Sequence, residues 1–226
     1  MIAIHFDPRI QRLLPNLALG CIQAHVQVAP SDPLLIAEME RACLVLEMGT
    51  TLETLQYHPA IEGTRDAYKV LGKEPSRYRP SAEALQRRVL QGKGLYHINN
   101  VVDIINLLSL RYGYSIGGWD LAHIQGDITM GIGQAGEPYE TIGRGEMNIA
   151  DFPVMRDRKG AFGTPTSDSE RTSIRDTTQQ VLLAFYAFEG GGELRPPMEE
   201  ALRLLQTYCG GHSVEMKVAS VYQQGN

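Results

Sequence analysis

The densest run of reactive side chains in this chain is TPTSDSERTSIRDTT, from Thr164 to Thr178. It sets Asp168, Glu170, Arg171, Thr172, Ser173, Arg175 and Asp176 close together. Carboxylates, hydroxyls and guanidinium groups at such spacing can fix a water, hold an ester oxygen or read a polar group on a ligand. They also make an ordinary Ser- and Asp-rich turn. The run leads straight into the apolar stretch QQVLLAFYAFE, and a loop anchored on a rigid core is a good place for a site. Both readings stand.

A second pattern lies in INNVVDIINLLSLRYG, from Ile98 to Gly113. Asn99, Asp103 and Asn106 interrupt an apolar run at steps of four and three residues, which places them on one face of a helix. Such a stripe either satisfies backbone groups of adjoining loops or lines a polar pocket. His97 stands just before it and His123 lies beyond GGWD; each is a structural histidine or a pocket residue.

Other chemistries are excluded. GIGQAG, at 131–136, matches a dinucleotide-binding string, but Pro138 follows and no helical period succeeds it, so it reads as a turn between strands. The six histidines have no metal-ligand spacing, and Cys21, Cys43 and Cys209 are far apart and odd in number. The expectation is no metal, no cofactor and three reduced thiols. No Gly-x-Ser-x-Gly elbow is present.

The elements that must position these residues follow from local signals. Strands are expected at Ile2 to Phe6 and Leu17 to Val28, with a turn at Asp7-Pro8. SDPLLIAEMERACLVLEM reads as a helix capped by Ser31 or Asp32, with Pro33 in its first turn. TLETLQY and AIEGTRDAYKVLG read as helical, the latter ending at Gly72. The link KEPSRYRP divides an N-terminal α/β lead over 1–80, packed on the core, from a core domain over 81–226. Ser81 is expected to cap the next helix, and Asn99 the striped one. Short β segments with Gly, Pro and Asp turns follow: DITMGIG, PYETIG, FPVMRD and GAFGTP. QQVLLAFYAFE, apolar on both faces, reads as a buried central strand. PPMEEALRLLQTYCGG returns to helix and SVEMKVASV closes as a strand. This order predicts mixed α/β on a largely antiparallel sheet.

The net charge is −5, unevenly distributed. Arg65, Lys69, Lys73, Arg77, Arg79, Arg87, Arg88 and Lys93 face only Asp66, Glu74 and Glu83, giving a basic belt on an acidic chain. Such a belt can hold a few phosphates while rejecting bulk polyanion such as DNA; a solvated helical face is the alternative. No apolar run approaches the ~20 residues that span a bilayer. MIAIHFDPRI shows no signal-peptide pattern, so the expected setting is cytoplasmic, away from membranes.

The run GLYHINNVVDIINLLSLRYGYSIGGWDLAHIQGDITM resembles the start of the B3/B4 editing domain of the phenylalanyl-tRNA synthetase beta subunit. GEPYETI is similar to that family's Gly-Glu strand turn, and SERTSIRDTTQQVLL to its Gly-Glu-His-Ser-Gly-Val segment with the Thr-x-x-Val-Leu-Leu strand that follows. The likeness covers roughly 81–188, its pieces in the same order. It implies a free-standing B3/B4 protein with a three-layer α/β (α+β) fold and a β-sandwich of unusual topology, shared with a tRNA-lysidine synthetase domain. It implies hydrolysis of a mischarged aminoacyl-tRNA in trans, with the acceptor end of tRNA as partner. An apolar synthetase pocket rejects an added hydroxyl only by ~100-fold, so a second site checks the product.

By that resemblance Glu170 reads the amino-acid side chain, and Thr172 and Ser173 hold the water or ester. Asn99, Asn106, His97 and Arg171 border the substrate, and Asp120 and Glu137 fix loops. Arg77, Arg79, Arg87, Arg88 and Lys93 meet tRNA. Two positions depart from the family: its pocket histidine is Gly117 here, and an arginine is Tyr96; His97 or Arg171 would have to compensate. The rival reading is a non-catalytic module binding RNA or a free amino acid.

Overall fold

The structure, a computed structural model, describes residues 1–224. Its first strand, β1 (Ile4–Phe6), runs into a short helix, α1 (Pro8–Leu13), where a turn is expected. Asp7 explains the difference: its carboxylate accepts from the N–H of Arg9 at 2.8 Å, and Pro8 has its φ already fixed for a first helical turn. β2 (Ala18–His25) and α2 (Pro33–Gly49) follow, the latter capped by Asp32 through the N–H of Leu34 at 2.7 Å.

TLETLQY forms only a 3-10 turn, Leu55–Tyr57, before α3 (Pro59–Val70). In α4 (Ser81–Leu90) Ser81 is the first helical residue and not the cap. Pro80 holds that place, and the N–H of Ser81 donates to Pro165 O at 2.8 Å. α5 (Asn100–Tyr112) is capped by Asn99, as expected, and stops at Gly113, which adopts a φ of 71°. That left-handed conformation is open to glycine at little cost.

The remaining elements are β3 (Ser115–Asp120), β4 (Ile128–Ile132), a two-residue hairpin of β5 (Glu140–Thr141) and β6 (Gly145–Glu146), then β7 (Pro153–Asp157) and β8 (Gly160–Gly163). β9 (Gln180–Ala187), α6 (Arg195–Cys209) and β10 (His212–Ser220) complete the order.

β9 is central, as its two apolar faces require: one sheet runs β10-β2-β9-β3, antiparallel throughout. Alternation along it separates two cores. Val181, Leu183 and Phe185 face α2, α5 and α6 through Leu35, Met39, Ile104, Leu108 and Leu205. Leu182, Ala184 and Tyr186 face the other way, toward Met130, Met155 and Phe162 of a second sheet, β1-β4-β7-β8. Helices, sheet and sheet make three layers. Residues 1–80 contribute one strand to each sheet, β1 beside β4 in parallel and β2 beside β9. Among the described residues, no helix is long and apolar enough to cross a membrane.

Candidate functional site

The loop between β8 and β9 is the reactive run Thr164 to Thr178, and it is tied down at each step. The hydroxyl of Thr164 donates to Ser167 O and accepts from the N–H groups of Thr166 and Ser167. Asp168 pairs by its backbone with Gly163. Its carboxylate accepts from Gly118 N at 3.3 Å and from the indole Nε1–H of Trp119 at 3.0 Å. Burial pushes the Asp168 carboxyl up to about 7, outweighing the two donors that favour the charged form. The hydroxyl of Ser169 then accepts from Arg171 N and opens a 3-10 turn, Glu170–Thr172.

Arg171 fastens that turn to the second sheet. It donates two bonds to the Asp157 carboxylate, at 2.9 and 3.0 Å, and further bonds to His123 O and Gly160 O. Burial alone would raise the Asp157 carboxyl, but the bonds from Arg171 and from the N–H groups of Gln125 and Lys159 hold it below the usual carboxylate range. At the far end, Thr178 donates to Asp120 at 2.8 Å, while Asp120 also accepts from Ala122 N and lies 3.3 Å from His123 Nδ1. Glu137, paired with Arg156 at 2.6 Å, fixes the neighbouring turn through Gln134 N.

The expected site residues of this loop therefore meet on one turn, with different freedom. Thr172 is fully buried, its hydroxyl directed at Ser169 O. Ser173 is buried too; its hydroxyl donates to Glu170 O at 2.9 Å and accepts from Arg175 Nε. Glu170 is half-buried and reaches solvent, 3.3 Å from the more exposed Arg175. The loop's last residues, Asp176 to Gln179, wall a cavity of about 590 Å³ with His25, Gln27 and His212. The imidazoles of His25 and His212 stack there at 5.1 Å.

The stripe on α5 is used for the loops. Asn99 accepts from Val102 N at 3.0 Å as the helix cap. Asp103, wholly buried, accepts from Ser31 Oγ at 2.6 Å and Ile98 N at 2.9 Å, with His97 Nδ1 at 3.9 Å. Asn106 is half-buried, and its amide makes no hydrogen bond among the described residues. Asn100, off the stripe, does more than any of them: it accepts from Ala29 N and donates to Gln27 O and Tyr208 O.

The largest feature missed in the sequence is Trp119. A Cβ added at Gly117 or at Gly163 would collide with the indole of this fully buried residue. The ring lies across both glycine backbones between the sheets, edge-on to Phe162 at 5.1 Å. Two glycines inside strands were the available signal, since such glycines mark a close approach. Nearby, Tyr139 donates to Ser167 O and Tyr68 pairs with Thr166, while the buried hydroxyl of Tyr186 has no hydrogen-bond partner among the described residues.

The basic belt is uneven. Arg88 stacks on Tyr96 at 3.8 Å and donates to Gly94 O, Lys93 O and the Tyr96 hydroxyl, so it holds its own loop. Tyr96 thus serves as the platform for an arginine. Arg65 is committed to buried Glu83 at 2.9 Å, and Arg79 lies 3.9 Å from the same carboxylate. Arg87 reaches Leu52 O at 3.5 Å. Arg77, over the Tyr78 ring, and Lys93 are exposed. Among the described residues no group of three His, Cys, Asp or Glu could hold a metal, and Cys21 and Cys209 are buried thiols pushed up to about 12 by burial.

Comparison with known proteins places this architecture. The phenylalanine–tRNA ligase beta subunit of Bartonella henselae is 27% identical over 210 residues, covering 79% of this chain and 26% of that protein. The same subunit of Synechococcus elongatus is 32% identical over 134 residues, 55% of this chain and 16% of that protein. The chain thus spans about a quarter of these relatives' length or less. An N-terminal fragment of the phenylalanyl-tRNA synthetase beta subunit from Pyrococcus horikoshii overlays 94% of this chain and 50% of its own, at 13% identity and a TM-score of 0.47. The B3/4 domain profile matches residues 63–210, from α3 to the end of α6, and the chain belongs to that family.

Proposed function

We propose that this protein acts in trans, in the cytoplasm, on the aminoacyl end of a charged tRNA, hydrolysing the ester of a mischarged species. Tyrosine on the phenylalanine tRNA, or a related pair, is the substrate class. The reading rests on the family and on one observation: the half-buried Glu170 and the exposed Arg175 stand in the middle of a loop anchored to both sheets, whose last residues wall a cavity. A rigid loop carrying a solvent-facing carboxylate and guanidinium suits recognition of a polar group on a ligand.

The chemistry asked of the protein is modest. An activated ester needs a positioned water and donors for the developing oxyanion, not a strong nucleophile. Thr172 and Ser173, whose hydroxyls are directed at backbone carbonyls, act by shaping the Glu170 turn, and a tRNA hydroxyl assists the proton transfer. Arg77, Lys93 and the exposed Arg79, which only borders Glu83 at 3.9 Å, are the belt residues that meet phosphates.

A second reading, a non-catalytic module binding RNA or a free amino acid, is favoured by Trp119, which fills the space beside Gly117. Release of amino acid from pre-charged tRNAs separates the two. Hydrolysis predicts many turnovers per protein, reduced about 100-fold or more in Glu170→Ala. Decay at the buffer rate, with every tested species bound to excess protein, would leave the binding module.

A further inference from the structure

A cavity of about 550 Å³ opens in the helical layer, between α2, the Leu55–Tyr57 turn, α4 and α5. No residue of the Thr164–Thr178 loop lines it, so it is separate from the candidate site described above. Its volume is that of a small-molecule pocket, and Leu46, Leu55 and Leu110 make its body apolar. Three polar side chains on its wall have bonding capacity that the protein leaves unused.

Gln86 is 2% exposed, and its amide N–H groups donate to Ser109 O and Leu110 O at 3.2 and 3.0 Å. Its Oε1 accepts no hydrogen bond among the described residues and is not sealed, so it faces the cavity. His58 lies against Gly113 by its Nδ1, which is buried and has no partner among the described residues. Burial lowers the pKa of this ring and keeps it neutral. With its proton on Nε2, the nitrogen that is not sealed, it leaves only a lone pair unmatched at Nδ1 and offers the cavity an N–H donor.

The third group is Arg41, an exposed residue whose side chain makes no ion pair or hydrogen bond among the described residues. Glu38, one turn before it, is held by Arg111, Arg203 and Tyr208. Arg111, the other guanidinium on the wall, is matched by Glu38 and Glu200. Among the described residues no Asp or Glu lines the cavity. An unmatched guanidinium and an N–H donor with no carboxylate beside them favour an anion and disfavour an ammonium group. The Gln86 acceptor asks for one hydroxyl, and the leucines for an apolar body.

We propose that this cavity binds a compact apolar carboxylate carrying one hydroxyl group. Arg41 takes the carboxylate, Gln86 Oε1 accepts from the hydroxyl, and His58 donates to a ligand oxygen. A free α-amino acid is a poorer fit, because its ammonium group finds no carboxylate on the wall.

Calorimetric titration of the full chain with 4-hydroxyphenylacetate tests this. One saturable site is expected, with a Kd of about 10–500 μM. Phenylacetate, which lacks the hydroxyl, binds about tenfold more weakly, and tyramine, with an amine in place of the carboxylate, does not saturate. Arg41→Ala, a change at an exposed position that leaves the thermal midpoint in place, weakens binding about tenfold, and Arg41→Glu abolishes it. Gln86→Leu removes the preference for 4-hydroxyphenylacetate over phenylacetate. Absence of saturable heat from 4-hydroxyphenylacetate up to about 5 mM overturns the proposal. So does binding that Arg41→Glu leaves unchanged, or tyramine binding as tightly as the carboxylate. The titration contains no tRNA, so its outcome is independent of the hydrolysis assay.

Discussion

Asp168 is where single-residue chemistry is most exposed to test. Its carboxyl is raised to about 7 from an ordinary value of 3.8, because burial outweighs the Gly118 and Trp119 donors. A carboxyl raised on folding favours the folded state when protonated. That contribution is complete below the ordinary value and is lost as pH rises from about 4 to about 7. Glu38, Glu137 and Asp157 are shifted the other way, so their contributions grow with pH and partly mask it. The difference between wild type and Asp168→Asn isolates the group. The variant gains on wild type by about 4 kcal/mol as pH rises from ~4 to ~8, read from denaturant midpoints at each pH. A constant difference across that range would show that the carboxyl titrates normally.

At the scale of elements, the decisive contacts are those that join α5 to loops distant in sequence. Asn100 alone links it to Ala29, Gln27 and Tyr208. Its truncation removes the side-chain partner of three part-buried backbone groups, so Asn100→Ala is expected to cost about 2 kcal/mol in equilibrium unfolding. Asn99→Ala, which removes one cap bond, costs about 1 kcal/mol. The comparison also shows what the sequence could reveal. Asn99 and Asp103 were visible because they recur at a helical period within an apolar run. Asn100 was not, since its importance comes from partners 71 to 108 residues away. β9 was legible because a strand apolar on both faces has only one place in a sheet, the middle. The helix at Pro8 was hidden by its brevity. In the loop after β8, residue types were legible, while which hydroxyls stay free was not: that depends on backbone carbonyls brought round by the 3-10 turn.

For the molecule as a whole, the question is how an acidic chain meets an acidic polymer. Of the eight basic residues between Arg65 and Lys93, several are already engaged: Arg65 with Glu83, Lys69 with Asp66, and Arg88 with its own loop. The number of phosphates held should therefore be small. Affinity for tRNA is expected to fall with salt at a slope of about −2 to −3 on logarithmic axes. Joint replacement of Arg77, Arg79 and Lys93 by alanine should flatten it nearly to zero, as measured by filter binding at several ionic strengths. A slope unchanged in the triple variant would move the contact elsewhere on the surface.

The sheet order carries one more implication. β2 lies between β10 and β9, and His25 stands opposite Gln180, 155 residues later; β1 likewise pairs with β4, Ile4 opposite Ile128. During synthesis the first strand of the central sheet thus has no partner until β9, some 155 residues later, has been made. Its edges, Leu19 to Ala24, remain open to other chains throughout that time. Nascent copies of this protein are accordingly expected to be slow folders with a long window of risk, and fragments ending before Gln180 to collect in the insoluble fraction rather than fold as a smaller domain.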